Sequence, residues 1–288
     1  STFVQLEDRF GSDSGGLELT VCALGGPDLE AKLGKTPGDF NGDCVPLQGC
    51  EPDCAGKDCG DDGCGGSCGS CQTGEICSAN LCVIDTGPDF RQQMLRARVD
   101  RLDAVLFTHE HRDHIAGLDD IRSYNFIQKS SMDVYAEERV MRALNSGFPY
   151  VFAEKRYPGI PQVLMHHITT EPFAIGSMEI IPIRMMHYRL PVLGFRMGEF
   201  AYLTDGNYIS EGEKEKLIGV KHLVVNALRH EPHRTHLNLE EALEFVRDIG
   251  PERAYFTHIS HLLGFHAEVE AGLPDNVFLA FDTLTITV

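Results

Sequence analysis

The chain has 288 residues, 42% of them apolar, and its 43 acidic against 25 basic side chains give a formal net charge of −18. That suits one large α/β domain or two smaller ones with a real core, and excludes a disordered or fibrous chain. The acidic balance opposes a phosphate backbone, so nucleic acid is not an expected partner. Nor is a membrane, since no apolar run reaches about 18 residues and "STFVQLEDRF" has neither part of a secretory leader.

Residues 1–82 differ from the rest. All ten cysteines, from Cys22 to Cys82, lie there with 16 of the 29 glycines, and residues 83–288 have no cysteine. The segment carries 14 acidic and 4 basic side chains, with Phe3, Phe10 and Phe40 as its only aromatics, so it buries little apolar surface unaided. "CEPDCAGKDCGDDGCGGSCGSCQTGEICSANLC" spaces its cysteines every three to six residues among Gly and Asp. Such a module is closed by disulfides in an oxidising compartment or by zinc in a reducing one, unless its cysteines are incidental, and spacing does not give the pairing. It resembles the Gly/Cys-rich repeats of secreted bacterial surface proteins. The composition sets an atypical N-terminal segment at 1–82, with the cysteine-rich module at 44–82, before a domain at 83–288.

Downstream, "RLDAVLFT" reads as a strand, "IAGLDDIRSYNFI" is helical in period, "MDVYA" is a strand and "EERVMRAL" a helix. From residue 173, "FAIGSMEIIPIRMMH" and "FRMGEFAYLTD" read as strand pairs turning at Gly176-Ser177 and Gly198-Glu199. "HLVVNAL" is a buried strand. "NLEEALEFVRDIG" is a helix that Asn238 caps, with Glu241 at the capping-box position and Gly250-Pro251 as its stop. "RAYFTHIS" and "VFLAFDTLTITV" close the chain with strands. Strands in runs, interrupted by helices, fit two sheets with helices packed outside.

"FTHEHRDH", residues 107–114, lies between a strand and a helix. His109 and His111, two apart in extended chain, point to one side; Asp113 and His114 enter the next turn and face elsewhere. One ion with about four ligands at about 2 Å cannot gather all four without strain, so the spacing suggests two ions. Each then needs ligands from elsewhere. His187, Asp205 and His258 all follow apolar strands: a carboxylate bridges two cations, so Asp205 takes the shared position, His187 completes the histidine pair, and His258 completes the pair Asp113 and His114. Taken alone, a histidine at a strand end is more often a hydrogen-bonded or surface residue than a ligand.

H-x-H-x-D-H after a strand, with the distant His, the Asp of "LTD" and the His of "THISH", resembles the metallo-β-lactamase fold of dinuclear metallohydrolases, an αββα sandwich. "VIDTGPDFRQQM", "FTHEHRDHIAGLDDIR", "YLTD", "NALR", "THLNLEEAL" and "FTHISH" are similar to its phosphodiesterase branch, the group of the cyclic phosphate phosphodiesterase of the phosphonate (carbon-phosphorus lyase) pathway. The resemblance runs over 83–288. It implies two divalent ions, Zn or Mn with Fe also suited, a small phosphoester substrate, a cytoplasmic setting and at most a second copy of the chain as partner. By the same resemblance His236 contacts phosphate and acts as general acid, and His261 stands where the branch has a structural-zinc ligand; His233 and Arg229, close to His236 in sequence, are further candidate phosphate contacts. That zinc's C-x-C-x-x-C is absent. "LELTVCALGGP", residues 17–27, is the candidate first strand and turn.

The expected reaction is hydrolysis of a small, cyclic or open, phosphorylated sugar or nucleotide by a metal-bridging hydroxide that Asp113 orients. Two alternatives stand beside it: a metallohydrolase of a thioester, lactone or lactam, and a secreted binding protein whose functional part is the cysteine-rich module.

Overall fold

The structure, a computed structural model, describes residues 81–154 and 157–287 with their side chains, and by backbone alone the strands at 3–9, 16–22, 60–61 and 67–68. In chain order these are β1 (Phe3–Arg9), β2 (Gly16–Cys22), β3 (Gly60–Asp61), β4 (Ser67–Cys68), β5 (Leu81–Ile84), α1 (Phe90–Ala97), β6 (Ala104–Leu106), α2 (Arg112–Ile115), α3 (Arg122–Gln128) and β7 (Met132–Ala136). They continue with α4 (Glu138–Gly147), α5 (Pro149–Phe152), β8 (Val163–His167), β9 (Phe173–Ile175), β10 (Met178–His187), β11 (Leu190–Met197), β12 (Phe200–Leu203), β13 (Tyr208–Ile209) and α6 (Glu211–Lys214). The rest are β14 (His222–Asn226), α7 (Leu239–Ile249), β15 (Arg253–Thr257), α8 (His266–Glu270), β16 (Val277–Leu279) and β17 (Leu284–Thr287).

Two sheets form. The first runs β17-β2-β1-β5-β6-β7-β8, and the second β13-β10-β11-β12-β14-β15-β16 with β9 on β10. Strand alternation divides the apolar residues into three layers. From β5, Cys82 and Ile84 face the layer that also holds Leu193, Phe195, Tyr202 and Val224 of the second sheet. Val83 faces the opposite way, with Phe90, Ile121 and Leu144 of the helical side. Leu203, Val225 and Phe256 pack under α7 through Ala242 and Val246. Helices therefore cover both outer faces of a sheet pair, the αββα sandwich.

The hairpins turn where the sequence places them, with Gly176 at φ 58° and Gly198 at φ 55°. In α7, Asn238 Oδ1 accepts from the Glu241 amide at 2.8 Å and Glu241 Oε2 from the Asn238 amide at 2.9 Å, while Gly250 closes the helix in the left-handed region.

At the N-terminus the backbone divides the chain elsewhere than composition does. β1 pairs antiparallel with β5, Val4 opposite Ile84, and β2 pairs with both β1 and β17. Residues 1–25 thus group with 80–288, and residues 26–79 form a separate unit. β2 overlaps the expected strand at 17–27, but β1 is its companion and lies between it and β5. The bonding state expected of the cysteines before Cys82 lies outside the described residues. Cys82 itself is buried in β5.

Candidate metal centre

The candidate ligands sit at the C-terminal ends of β6, β10, β12 and β15, where apolar strands end and loops begin. Residues just past β5, β10, β12 and β15 have left-handed backbones despite carrying side chains: Asp85 at φ 64°, Tyr188 at φ 60°, Asp205 at φ 60° and His258 at φ 53°. Such a conformation is held only where surrounding contacts impose it, and it recurs at functional sites.

Donor atoms of Asp113, His114, Asp205 and His258 all lie within 4.8 Å of one another, as do those of His109, His111 and Asp205. Asp205 belongs to both groups. Its Oδ2 lies 3.1 Å from His114 Nε2 and 3.5 Å from His109 Nε2, and its Oδ1 lies 3.1 Å from His258 Nε2. His187 falls in a third group with Asp205 and His236. Its ring is 5.0 Å from that of His111 and 4.6 Å from that of His236, so it borders the histidine pair but shares its donor group with His236. The seven residues converge on one carboxylate, although their positions span residues 109–258.

Asp85 orients two of these histidines, and the motif reading gave it no role. It is 1% exposed. Its Oδ2 receives His114 Nδ1–H at 2.6 Å and the Thr108 hydroxyl at 2.8 Å, and its Oδ1 the Thr108 amide at 2.8 Å. Having given its proton to Asp85, the Thr108 hydroxyl accepts from His109 Nδ1–H at 3.0 Å. His187 Nδ1–H donates to the Thr235 carbonyl at 2.9 Å. Each of these three rings thus uses Nδ1 for protein and turns Nε2 toward Asp205 or the space beside it, the arrangement that carboxylate or carbonyl partners give to metal-binding histidines. Two sequence signals could have found Asp85: it is a carboxylate directly after the apolar run "LCVI", and it lies in the stretch "VIDTGPDFRQQM" that carries the resemblance.

The electrostatics are those of a cation site. Burial, then the neighbouring His114, lowers His109 to about 2, so its ring is neutral. Its Nε2 is buried with no hydrogen-bond partner among the described residues. An orphaned lone pair beside a carboxylate is costly unless an electrophile faces it, so the residues fit a divalent ion. Burial works against ionised Asp205, but His114 and His258 outweigh it and hold the carboxyl well below its usual range. Burial likewise opposes the His258 cation, yet Asp205 and Asp113 raise it to about 9. Asp113 stays ionised because hydrogen bonds from His114 and His258 overcome the cost of burial. The imidazoliums of His114 and His258 occupy the positive charge that ions would supply.

The expected substrate contacts separate. His236 is buried, its ring 4.6 Å from those of His187 and His258, and its Nδ1 has no partner among the described residues. His233 lies behind it, ring centres 5.2 Å apart. Arg229 turns back on its own loop, donating to the Glu231 and Pro232 carbonyls at 3.2 and 3.0 Å. His261 is exposed and joins no candidate ligand group among the described residues.

Residues 81–259 match the family described as the beta-lactamase superfamily domain. A diphosphatase from the PhnP family, known from its crystal structure, is 37% identical with a TM-score of 0.68, over 73% of this chain and 80% of that one. The metallo-beta-lactamase fold protein YhfI from Bacillus subtilis aligns at 17% identity and a TM-score of 0.60, over 73% of this chain and 87% of that one. Among curated proteins, an octanoyltransferase of Porphyromonas gingivalis is 39% identical over 204 residues, 70% of this chain. The chain spans 41% of that relative's length, and the activity named belongs to the longer protein.

Proposed function

The chain belongs to the beta-lactamase superfamily and to the PhnP family within it, a metal-dependent hydrolase, and on that premise we propose that it is a dinuclear phosphodiesterase acting on a small phosphorylated substrate. One observation carries the reading: two groups of donors meet at the single carboxylate of Asp205. His109 and His111 with Asp205 would hold one ion, His187 completing its shell from the side, and Asp113, His114 and His258 with Asp205 the other. Zn, Mn and Fe all suit these nitrogen and oxygen donors. When bound, two such ions lower the pKa of water and polarise a phosphoryl oxygen.

The chain's own residues do the rest. Asp113, ionised and about half exposed at 48%, presents a carboxylate oxygen to solvent, where it accepts a hydrogen bond from water and fixes its orientation. Asp85 holds the rings of His114 and, through Thr108, of His109. His236 is lowered to about 3 by burial and then by His258, so it is neutral near pH 7. It serves as an N–H donor to a phosphate oxygen and hands its proton on only as negative charge builds on the leaving oxygen. His233 stacks behind it. Arg229, committed to its loop, reaches phosphate only by releasing the two carbonyls.

Metal analysis and turnover of bis(p-nitrophenyl) phosphate test the proposal. The purified chain holds two ions and cleaves the diester, and His109→Ala combined with His114→Ala loses both. Diester activity that survives the double substitution refutes it, as does hydrolysis confined to thioesters, lactones or lactams.

A further inference from the structure

On the outer face of the second sheet, between α6 and α7, lies a cavity of about 470 Å³. None of the seven candidate metal ligands lines it, and its size is that of a small-molecule site. The floor is apolar: Met185 of β10, Leu203 of β12 and Val225 of β14 are buried there, and Leu237 and Phe245 flank them. The rim is acidic. Glu211, Glu241, Glu244 and Asp248 all line it and all are exposed, against Lys214 as the one cation among the lining residues. Lys214 Nζ lies 2.9 Å from Glu211 and 2.6 Å from Asp248, while Arg247, outside the lining, comes no nearer to Glu244 than 3.9 Å. One ammonium shared between two carboxylates leaves the rim with an excess of negative charge.

The cavity also holds an unused donor. Asn226, at the end of β14, lines it and is 1% exposed. Its Oδ1 accepts from the Gly206 amide at 3.0 Å, which anchors the loop just past Asp205, but its Nδ2 is buried with no partner among the described residues. A buried amide NH2 without an acceptor is costly, and an oxygen on a bound molecule would satisfy it. Apolar floor, inner donor and acidic rim each restrict what fits. A purely apolar molecule leaves Asn226 Nδ2 unmatched, an anion is repelled by the rim, and a bare cation gains nothing from the floor.

We propose that this cavity is a second binding site, separate from the metal centre, for a small apolar amine that carries an acceptor oxygen at the end opposite its ammonium. The oxygen accepts from Asn226 Nδ2, the apolar body covers Met185, Leu203 and Val225, and the ammonium sits among Glu244, Asp248 and their neighbours. Tyr208, which also lines the cavity and is 62% exposed, offers its ring face to the same cation.

Titration of the full chain, as purified, with p-methoxyphenethylamine tests this, followed by methyl resonances of Met, Leu and Val. The Met185, Leu203 and Val225 methyls shift and saturate together. p-Methoxyphenylpropionate, with a carboxylate in place of the ammonium, binds about tenfold more weakly or not at all. p-Ethylphenethylamine, the same shape without the oxygen, binds about threefold more weakly. Glu244→Gln with Asp248→Asn, two exposed changes that leave the fold intact, weakens the methoxy amine about fivefold. Shifts that never saturate or that spare these three methyls overturn the proposal, because they mark loose attraction to an acidic surface. Equal binding of the propionate or of the ethyl analogue overturns it as well, as does undiminished binding in the double variant. The measurement needs no turnover, so its outcome is independent of the phosphodiesterase reading.

Discussion

Replacing Asp85 with Asn changes one atom of a fully buried side chain and disturbs both candidate ion sites. The asparagine oxygen can still accept from the Thr108 amide. Its NH2 group then faces His114 Nδ1–H and the Thr108 hydroxyl, which donate to a carboxylate oxygen at 2.6 and 2.8 Å in the native protein. Two donors cannot bond to each other, so His114 must move its proton to Nε2, the nitrogen that faces Asp205, and a protonated nitrogen cannot bind an ion. Losing such a supporting partner typically weakens metal binding by about 10- to 100-fold, which is roughly 1.4 to 2.7 kcal/mol. Asp85→Ala goes further. It leaves the Thr108 amide and the His114 Nδ1–H buried without acceptors, at about 1–3 kcal/mol each. Chelator competition followed by metal analysis reads the first effect: at a chelator concentration that leaves the wild type with both ions, Asp85→Asn loses the ion of the Asp113–His114–His258 group. Equal metal affinity, within twofold, in a folded Asp85→Asn protein would refute the tautomer argument, because Asp85 is the acceptor that holds the His114 proton on Nδ1 and leaves Nε2 free for an ion.

The pH dependence has opposite signs with and without metal. His258, raised to about 9 in the metal-free protein, contributes stability there that is fully present below its unfolded value of about 6.5 and lost as pH rises through about 9. Chelator-treated protein should thus melt lower at pH 9.5 than at pH 6.5. Metal binding must expel the same proton, so apparent metal affinity climbs with pH up to about 9, and a pH-independent affinity would count against His258 as a ligand. Gly117→Ala should lower the melting temperature, since a Cβ there would meet the Gly87 carbonyl at 2.4 Å and Phe90 Cβ at 2.7 Å; overpacking of this kind costs about 1–3 kcal/mol, and unchanged melting would show that the Thr86–Gly87 turn yields freely. Asn238→Ala removes the capping box of α7 and should cost about 1 kcal/mol, read as a drop of roughly 2–4 °C in thermal melting.

Much of the fold was legible because the signals are local. Apolar alternation over a few residues marks a strand, Gly-Ser and Gly-Glu mark hairpins, and Asn-x-x-Glu marks the start of α7; each depends on neighbours within about one turn of chain, so the sequence carries it whole. The gathering of the distant candidates was legible for a related reason: His187, Asp205 and His258 each close an apolar run, and strands running to one edge of a sheet leave their last residues together. Asp85 closes such a run too, within the quoted stretch "VIDTGPDFRQQM", but its partners Thr108 and His114 are 23 and 29 residues away, and its role shows only once those contacts form.

Sequence alone therefore marked many of the strands, the helix α7 and the types of donor, and offered "FTHEHRDH" as two candidate half-sites. Tertiary structure decided what depends on strand pairing and side-chain direction across large separations. It set Val4 against Ile84, 80 positions apart, and so joined β1 and β2 to the first sheet where composition had separated them. It gave His187 a shared donor group with His236, turned Arg229 onto its own loop, and brought Arg234 over Tyr188 from 46 residues away. These outcomes rest on which backbones pack side by side, and no short-range pattern encodes that.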